Sequence, residues 1–374
     1  MLFYVTYNDL PSGIFSSQVI DVVKFFKSNL KTECKLIAFI SLRSFFVNRK
    51  KIKIDFPQVI VIPMFPGVHR WRFNYVSLCL LTIIYKPTII IGRSVFATQL
   101  ALLFQKNKIK VVYDGRAAVT AEWQEYNVGG HSQFTASINE LEKQAVLFSD
   151  FRIAVSQALV KHWYNAFNYR ETKHVVIPCT LNNQFENIQI NNTSVNDEPI
   201  KLGYMITDIV FVYAGSLAGW QSVNLLADYV RELLLQNKNY QVLFLSDTHQ
   251  MIEQLKREFP NQVQNIKVPT QVVPHYLLQC DYGLLIREQS ITNKVASPVK
   301  FAEYLACGLD VIISEQLGDY TEFVLKHQCG FIYTNGTNFP KPSFAKKQAN
   351  NALANQLFSK KQFLSSYQQL LALA

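Results

Sequence analysis

The stretch Asn293-Lys-Val-Ala-Ser-Pro-Val-Lys-Phe-Ala-Glu-Tyr-Leu-Ala-Cys-Gly-Leu-Asp-Val-Ile-Ile-Ser314 decides the fold. Ser297-Pro298 reads as a helix start, a capping hydroxyl followed by a residue with preset φ and no N–H to satisfy. Phe301, Ala302, Leu305 and Ala306 give the helix an apolar face, and Cys307-Gly308 ends it because glycine accepts the left-handed cap. Leu309–Ile313 follows as a short buried strand. A loop and a helix start beside a strand make an anion site, since unpaired N–H groups and the helix dipole both face the loop. Lys300 is a cation in the first turn, where the dipole prefers an acid, and an anion bound there would account for it. Glu303, one turn on, is placed to accept hydrogen bonds from sugar hydroxyls. An ordinary α/β unit with solvated Lys300 and Glu303 meets the same spacing equally well.

Outward from this stretch, strands and helices alternate. The second half offers strands at Ile209–Tyr213, Gln241–Leu245, Val263–Val268, Tyr282–Ile286, Leu309–Ile313 and Gly330–Tyr333, and a last amphipathic helix at Leu357–Leu371. The first half offers Leu2–Tyr7, Cys34–Ile40, Gln58–Ile62, Thr88–Ile91, Lys110–Tyr113, Asp150–Val155 and Lys173–Ile177. Helices are expected at Ile14–Leu30, Phe134–Phe148 and Gln157–Phe167, the last capped by Ser156, while Ala117–His131 reads as irregular. Residues 181–208 are rich in Asn, Thr, Ser and Pro and read as a linker. The expected fold is α/β, with two facing Rossmann-like doubly wound domains. The expected domains are 1–180 with the C-terminal helix 357–374, and 209–356.

The chain has 374 residues, ample for two cores, with 49% apolar and 17% charged residues. Its longest apolar run, Tyr75–Tyr85, is too short to span a bilayer, and the start lacks the basic region of a signal peptide. Six scattered cysteines without a C-x-x-C pair fit buried thiols in a reducing cytosol. The net charge of +10 lies in the first half: residues 1–180 hold 22 Lys/Arg against 11 Asp/Glu. Such a half suits an anionic partner, whether a membrane surface, nucleic acid or phosphorylated substrate. The cationic and aromatic run His69-Arg70-Trp71-Arg72 before an apolar helix is what an interfacial membrane contact needs, and a buried helix has the same pattern.

No D-x-D, H-E-x-x-H, P-loop or G-x-S-x-G motif occurs, and no G-x-G-x-x-G follows the first strand. The remaining candidates sit where strands end. Gly13 follows the first strand; Gly215 and Ser216 follow Ile209–Tyr213, where small residues let backbone N–H groups reach a phosphate. Val268 could edge a base. Arg287 and Glu288 follow another strand, and Arg287 with Lys300 would neutralise a diphosphate. Arg93 and Arg116 are acceptor-side candidates on the first half, with Glu122 and His131.

Three second-half segments resemble retaining glycosyltransferases of the GT-B fold, in the bacterial group that builds capsule, O-antigen and related polysaccharides. They are Val212-Tyr-Ala-Gly-Ser-Leu, the run Val268–Glu288, and Ser297-Pro-Val-Lys-Phe-Ala-Glu-Tyr-Leu-Ala-Cys-Gly. Tyr113-Asp-Gly-Arg, Glu140-Leu-Glu-Lys-Gln-Ala and Ile153-Ala-Val-Ser extend the resemblance through the first half. It implies that Glu303 holds the ribose, that Gly215 and Ser216 face the diphosphate, that Gly13 closes over it, and that the last helix crosses back to the first domain. Two departures stand out. Val295 replaces a glutamate often found there, and Leu217-Ala-Gly-Trp-Gln-Ser carries no phosphate-binding cation, so Arg287 and Lys300 take over the charge and Glu288, or backbone N–H groups of 295–297 near Ser297, the sugar. Asp310 stands where such proteins usually have proline.

The expected activity is sugar transfer, with retention, from a nucleotide-diphospho-sugar to a glycan or lipid-linked glycan. Arg287 and Lys300 would stabilise the leaving diphosphate without a metal or bound cofactor. The expected location is the cytoplasm, at the inner face of the plasma membrane, with no nucleic-acid partner. A nucleotide-sugar epimerase on the same fold and a non-catalytic basic membrane- or nucleic-acid-binding scaffold are the alternatives.

Overall fold

The computed structural model describes residues 1–127, 132–190, 202–334 and 336–373. The chain divides into two units: Met1–Thr180 with Val295–Ser297 and Lys360–Ala374, and Leu181–Lys294 with Pro298–Ser359.

The first unit holds a seven-stranded parallel sheet in the order β3-β2-β1-β4-β5-β6-β7. Its strands are β1 Leu2–Tyr7, β2 Cys34–Ser41, β3 Ile60–Met64, β4 Ile89–Arg93, β5 Lys110–Gly115, β6 Phe151–Ala154 and β7 His174–Val176. The inner strands, such as β1 and β4, are apolar runs buried on both faces, as a helix-covered parallel sheet requires, while edge strands β3 and β7 are largely half-buried. The order reverses between β1 and β4, which opens a crevice beyond their carboxyl ends. On one face, Tyr367 and Leu370 of the Leu364–Leu371 helix join Leu2, Tyr4 and Phe26. The Tyr367 ring lies 5.5 and 5.3 Å from those of Phe25 and Phe26.

The second unit holds a six-stranded parallel sheet in the order β10-β9-β8-β11-β12-β13. Its strands are β8 Ile209–Ala214, β9 Tyr240–Leu245, β10 Val263–Asn265, β11 Tyr282–Leu285, β12 Asp310–Ile313 and β13 Gly330–Ile332. Alternate β8 side chains point to opposite cores: Val210 and Val212 join Phe301 and Leu305, whereas Phe211 and Tyr213 join Leu226 and Val230. Here the reversal falls between β8 and β11.

Four local expectations are corrected. Part of Ala117–His131 is helical, at Val119–Tyr126, because Glu142 accepts from the Val119 and Thr120 amides (2.9 and 2.7 Å) and caps the helix from a distant segment. The stretch Leu357–Leu371 is broken at Ser359: one helix ends at Phe358 and another begins at Leu364. Leu181, Phe185 and Leu202, within the expected linker, are buried in the second unit's core. Helix Val299–Ala306 starts from Pro298 without a side-chain cap; Ser297 Oγ instead accepts from the Cys179 amide at 2.8 Å within the first unit.

Candidate functional site

The second unit's reversal point gathers residues from three segments. After β8 the chain turns at Gly215, whose φ of 140° suits glycine. Its N–H donates to Leu245 O at 3.1 Å, and a Cβ there would stand 3.1 Å from Lys300 Nζ. The backbone thus lies directly against the lysine. Gln221 and Ser222 follow, with Ser222 in the left-handed region at φ 53°. Beyond β11, the Arg287 amide donates to Ser314 Oγ at 2.7 Å and the Glu288 amide to Ser222 Oγ at 2.9 Å, which ties this loop to both neighbours. Helix Val299–Ala306 supplies Lys300 and Glu303.

Gln221 Oε1 is the meeting point. It accepts from Arg287 Nη2 at 3.1 Å, Lys300 Nζ at 3.0 Å and Tyr213 OH at 3.4 Å. Arg287 Nη1 also donates to Asn293 Oδ1 at 3.4 Å, and Lys300 Nζ sits 4.0 Å over the Tyr213 ring. Both cations are more than nine-tenths buried, so neither is a solvated surface group. Burial, and then the Arg287 charge, push Lys300 well below the ordinary lysine range, against Glu303. Burial pushes the half-buried Glu303 carboxyl up to about 7, against the pull of Lys300. Two desolvated cations on one neutral oxygen make a place where added negative charge is strongly favoured.

Helix Val299–Ala306 is fixed by Tyr304. Its hydroxyl accepts from the Ala214 amide at 2.9 Å, and its ring fills the space over Gly283, where a Cβ would come within 2.2 Å. Asp310 has a structural partner set: buried at the start of β12, it accepts from Asn350 Nδ2 (2.8 Å) and pairs with Lys346 (3.4 Å) on helix Phe344–Phe358.

Ser216 and Glu288 are exposed near this cluster, and Val268 is half-buried against the core that holds Phe301. Val295 lies in the first unit, buried beside Tyr113 and Trp163, and its carbonyl accepts from Ser156 Oγ at 2.7 Å. Its side chain is therefore a core group. Sequence reasoning missed Gln221, Tyr213, Ser222, Asn293 and Ser314. The signal was the polar Trp-Gln-Ser after the glycine turn, where it sought a cation.

In the first unit, Gly13 begins a helical turn just after β1, capped by Ser12 Oγ (3.2 Å from Phe15 N). Arg93 at the end of β4 is buried and paired with Asp9 (3.4 Å) and Asp114 (3.6 Å). Asp114 also accepts from Tyr4 OH (2.5 Å) and pairs with Arg116 (3.4 Å). Arg116 Nη2 donates to Gln18 Oε1 at 3.2 Å. The two arginines thus belong to an internal network. Burial, and then Glu142, push the Glu122 carboxyl up to about 7. His131 lies outside the described residues.

No family model matches the chain, and no curated protein matches it. Solved structures do. Anabaena HepE, solved with UDP and glucose, aligns at 15% identity and TM-score 0.72 over 100% of this chain and 99% of its own. Sucrose-phosphate synthase of Thermosynechococcus elongatus aligns at 13% identity and TM-score 0.69 over 100% of each chain. A Listeria monocytogenes protein assigned as a UDP-N-acetylglucosamine 2-epimerase aligns at 10% identity and TM-score 0.53, over 99% of this chain and 90% of its own. The two parallel-sheet Rossmann-like units, matched over whole chains, give this protein the GT-B fold.

Proposed function

We propose that the protein is a glycosyltransferase that binds a nucleotide-diphospho-sugar on its second unit and moves the sugar to a glycan or lipid-linked glycan hydroxyl with retention. The observation that carries this reading is the convergence of buried Arg287 and Lys300 on Gln221 Oε1 against the Gly215 turn. A diphosphate there would replace a neutral acceptor with a charged one, and its hold would tighten as charge builds on the leaving group. Glu303 would take the ribose hydroxyls; Ser216 and the backbone near Gly215 the phosphates; Val268 the base; Glu288 and the backbone around Ser297 the sugar. Cations alone would supply the charge stabilisation, without a metal. A departing phosphate oxygen would accept the proton of the attacking hydroxyl.

On the acceptor side we assign Arg93, Arg116 and Glu122, at or just beyond the carboxyl ends of β4 and β5. The basic first unit would work in the cytoplasm against the inner face of the plasma membrane, in cell-surface polysaccharide synthesis. The HepE structure with UDP and glucose supports a nucleotide-sugar site, and the more distant epimerase neighbour keeps epimerisation as the second reading.

The deciding experiment incubates the protein with UDP- and GDP-sugars, with and without EDTA, first alone and then with lipid-linked glycans. Transfer with retention, unaffected by EDTA, is expected. An epimerised nucleotide sugar appearing without acceptor would establish the second reading instead. Absence of any nucleotide-sugar binding would overturn both.

A further inference from the structure

Helix Tyr75–Tyr85 is apolar all round, yet only one side of it is covered. Leu78 is buried, and Tyr75, Cys79, Leu81 and Tyr85 pack on the core of Phe3, Val5 and Phe39. Opposite them Val76, Leu80, Ile83 and Ile84, with Phe73 just before the helix, are 58–66% exposed. At 100° per residue these five fall within a stripe about 100° wide. Phe65, two-thirds exposed, follows edge strand β3. A surface helix ordinarily places charge where this one places isoleucine.

The charge around it is one-sided. Residues 56–113 carry seven Lys/Arg and no carboxylate. Exposed Arg70 and Arg72 lie at one end of the apolar helix and exposed Lys86 at the other, where Lys35 Nζ also sits 4.4 Å over the Tyr85 ring. A second copy brought onto this face would set cations against cations, and a protein partner would need a matching acidic rim. A bilayer with anionic headgroups meets both demands, taking the apolar stripe below and the cations at headgroup level. Eleven residues of helix are about 16 Å long, too short to cross a bilayer and suited to lying in its surface. Among the described residues no helix is long and apolar enough to span one.

We infer that Phe73–Ile84, rimmed by Arg70, Arg72 and Lys86, is a docking face for an anionic lipid bilayer, with the helix lying in the plane of the interface. This gives residues to the membrane contact of the reading above and rests on it only for location; the donor site plays no part.

The test is co-sedimentation of the full chain with vesicles of phosphatidylcholine alone and with about one-third phosphatidylglycerol. Binding to the anionic vesicles should exceed binding to neutral ones by about tenfold or more and should weaken with salt. L80E/I84E should abolish it and R70Q/R72Q weaken it, with thermal melting and UDP-glucose affinity unchanged. Should the double glutamate variant fail to fold, an environment-sensitive fluorophore at I84C should shift to the blue on anionic vesicles. Undiminished binding by L80E/I84E, or no shift at I84C, would overturn the inference. So would sedimentation equilibrium in which the parent self-associates through this face, L80E/I84E is monomeric, and neither binds vesicles. Failed nucleotide binding with intact vesicle binding would count against the donor site alone.

Discussion

Arg287 Nη2 and Lys300 Nζ share one acceptor, Gln221 Oε1, at 3.1 and 3.0 Å. Two buried cations brought together on one uncharged oxygen oppose each other, as the depression of Lys300 by Arg287 reflects, and a bound anion would relieve that. Their arrangement is that of a site prepared for an anion. Replacing Lys300 by Ala should weaken UDP binding by about tenfold to a hundredfold, the span of a lost charge-assisted hydrogen bond. Titration calorimetry reads this directly. K300R should not restore it, since Gly215 backbone lies against the ammonium and leaves no room for a guanidinium.

Binding should also move protons. Burial and Arg287 depress Lys300, and an incoming diphosphate favours its charged form. UDP binding should therefore take up protons, more so as pH rises through the depressed lysine value. Calorimetry in buffers of different ionisation heat will show it. K300M should remove the uptake, and an unchanged proton balance in K300M would place its source elsewhere.

Glu303 makes stability fall with pH. Its folded value is raised to about 7, above an unfolded value of about 4.3. Its contribution is therefore fully present below about pH 4.3 and is lost as pH rises through about 7. Relative to the parent, E303Q should gain stability at neutral pH, and the difference should close on acidification towards pH 4. Urea denaturation at a series of pH values measures it.

The buried carboxylate of Glu142 caps helix Val119–Tyr126 through two amides. E142A should cost about 1–2 kcal/mol and speed hydrogen exchange at Val119 and Thr120. The Glu122 carboxyl should titrate lower in the same variant, because a like charge is gone.

Asp310 and Asn350 form a buried pair at the start of β12, away from the Gln221 cluster beyond the strands' carboxyl ends. D310A should destabilise by about 1–3 kcal/mol, since the amide keeps only its bond to Leu309 O. D310A/N350A should cost less than the sum of the single changes. UDP affinity should stay as in the parent, which separates this pair from the site.

Both sheets were legible because buried parallel strands are written as apolar runs: Leu2–Tyr7 and helix Gln157–Phe167 were read with the bounds the structure gives. Lys300 and Glu303 were legible because glycine and proline bracket their helix. What escaped was carried by long-range pairing. The Val119–Tyr126 helix depends on a carboxylate some twenty residues away, and Ser297 spends its hydroxyl on Cys179 rather than on the helix it precedes. Gln221 was invisible for a related reason. An amide becomes a site residue only when two cations from other segments arrive at it.

Tyr304 stands between the halves of the site as a spacer of fixed thickness. Its ring rests on Gly283 and its hydroxyl holds the end of β8, so the gap between the Gly215 turn and Lys300 is gauged by one rigid aromatic rather than by the loops that border it. Residues 217–220, which lie between the glycine turn and Gln221, can then change while the seat of Lys300 against that turn stays constant. New sugar preferences could be engineered there without retuning the grip on the leaving group.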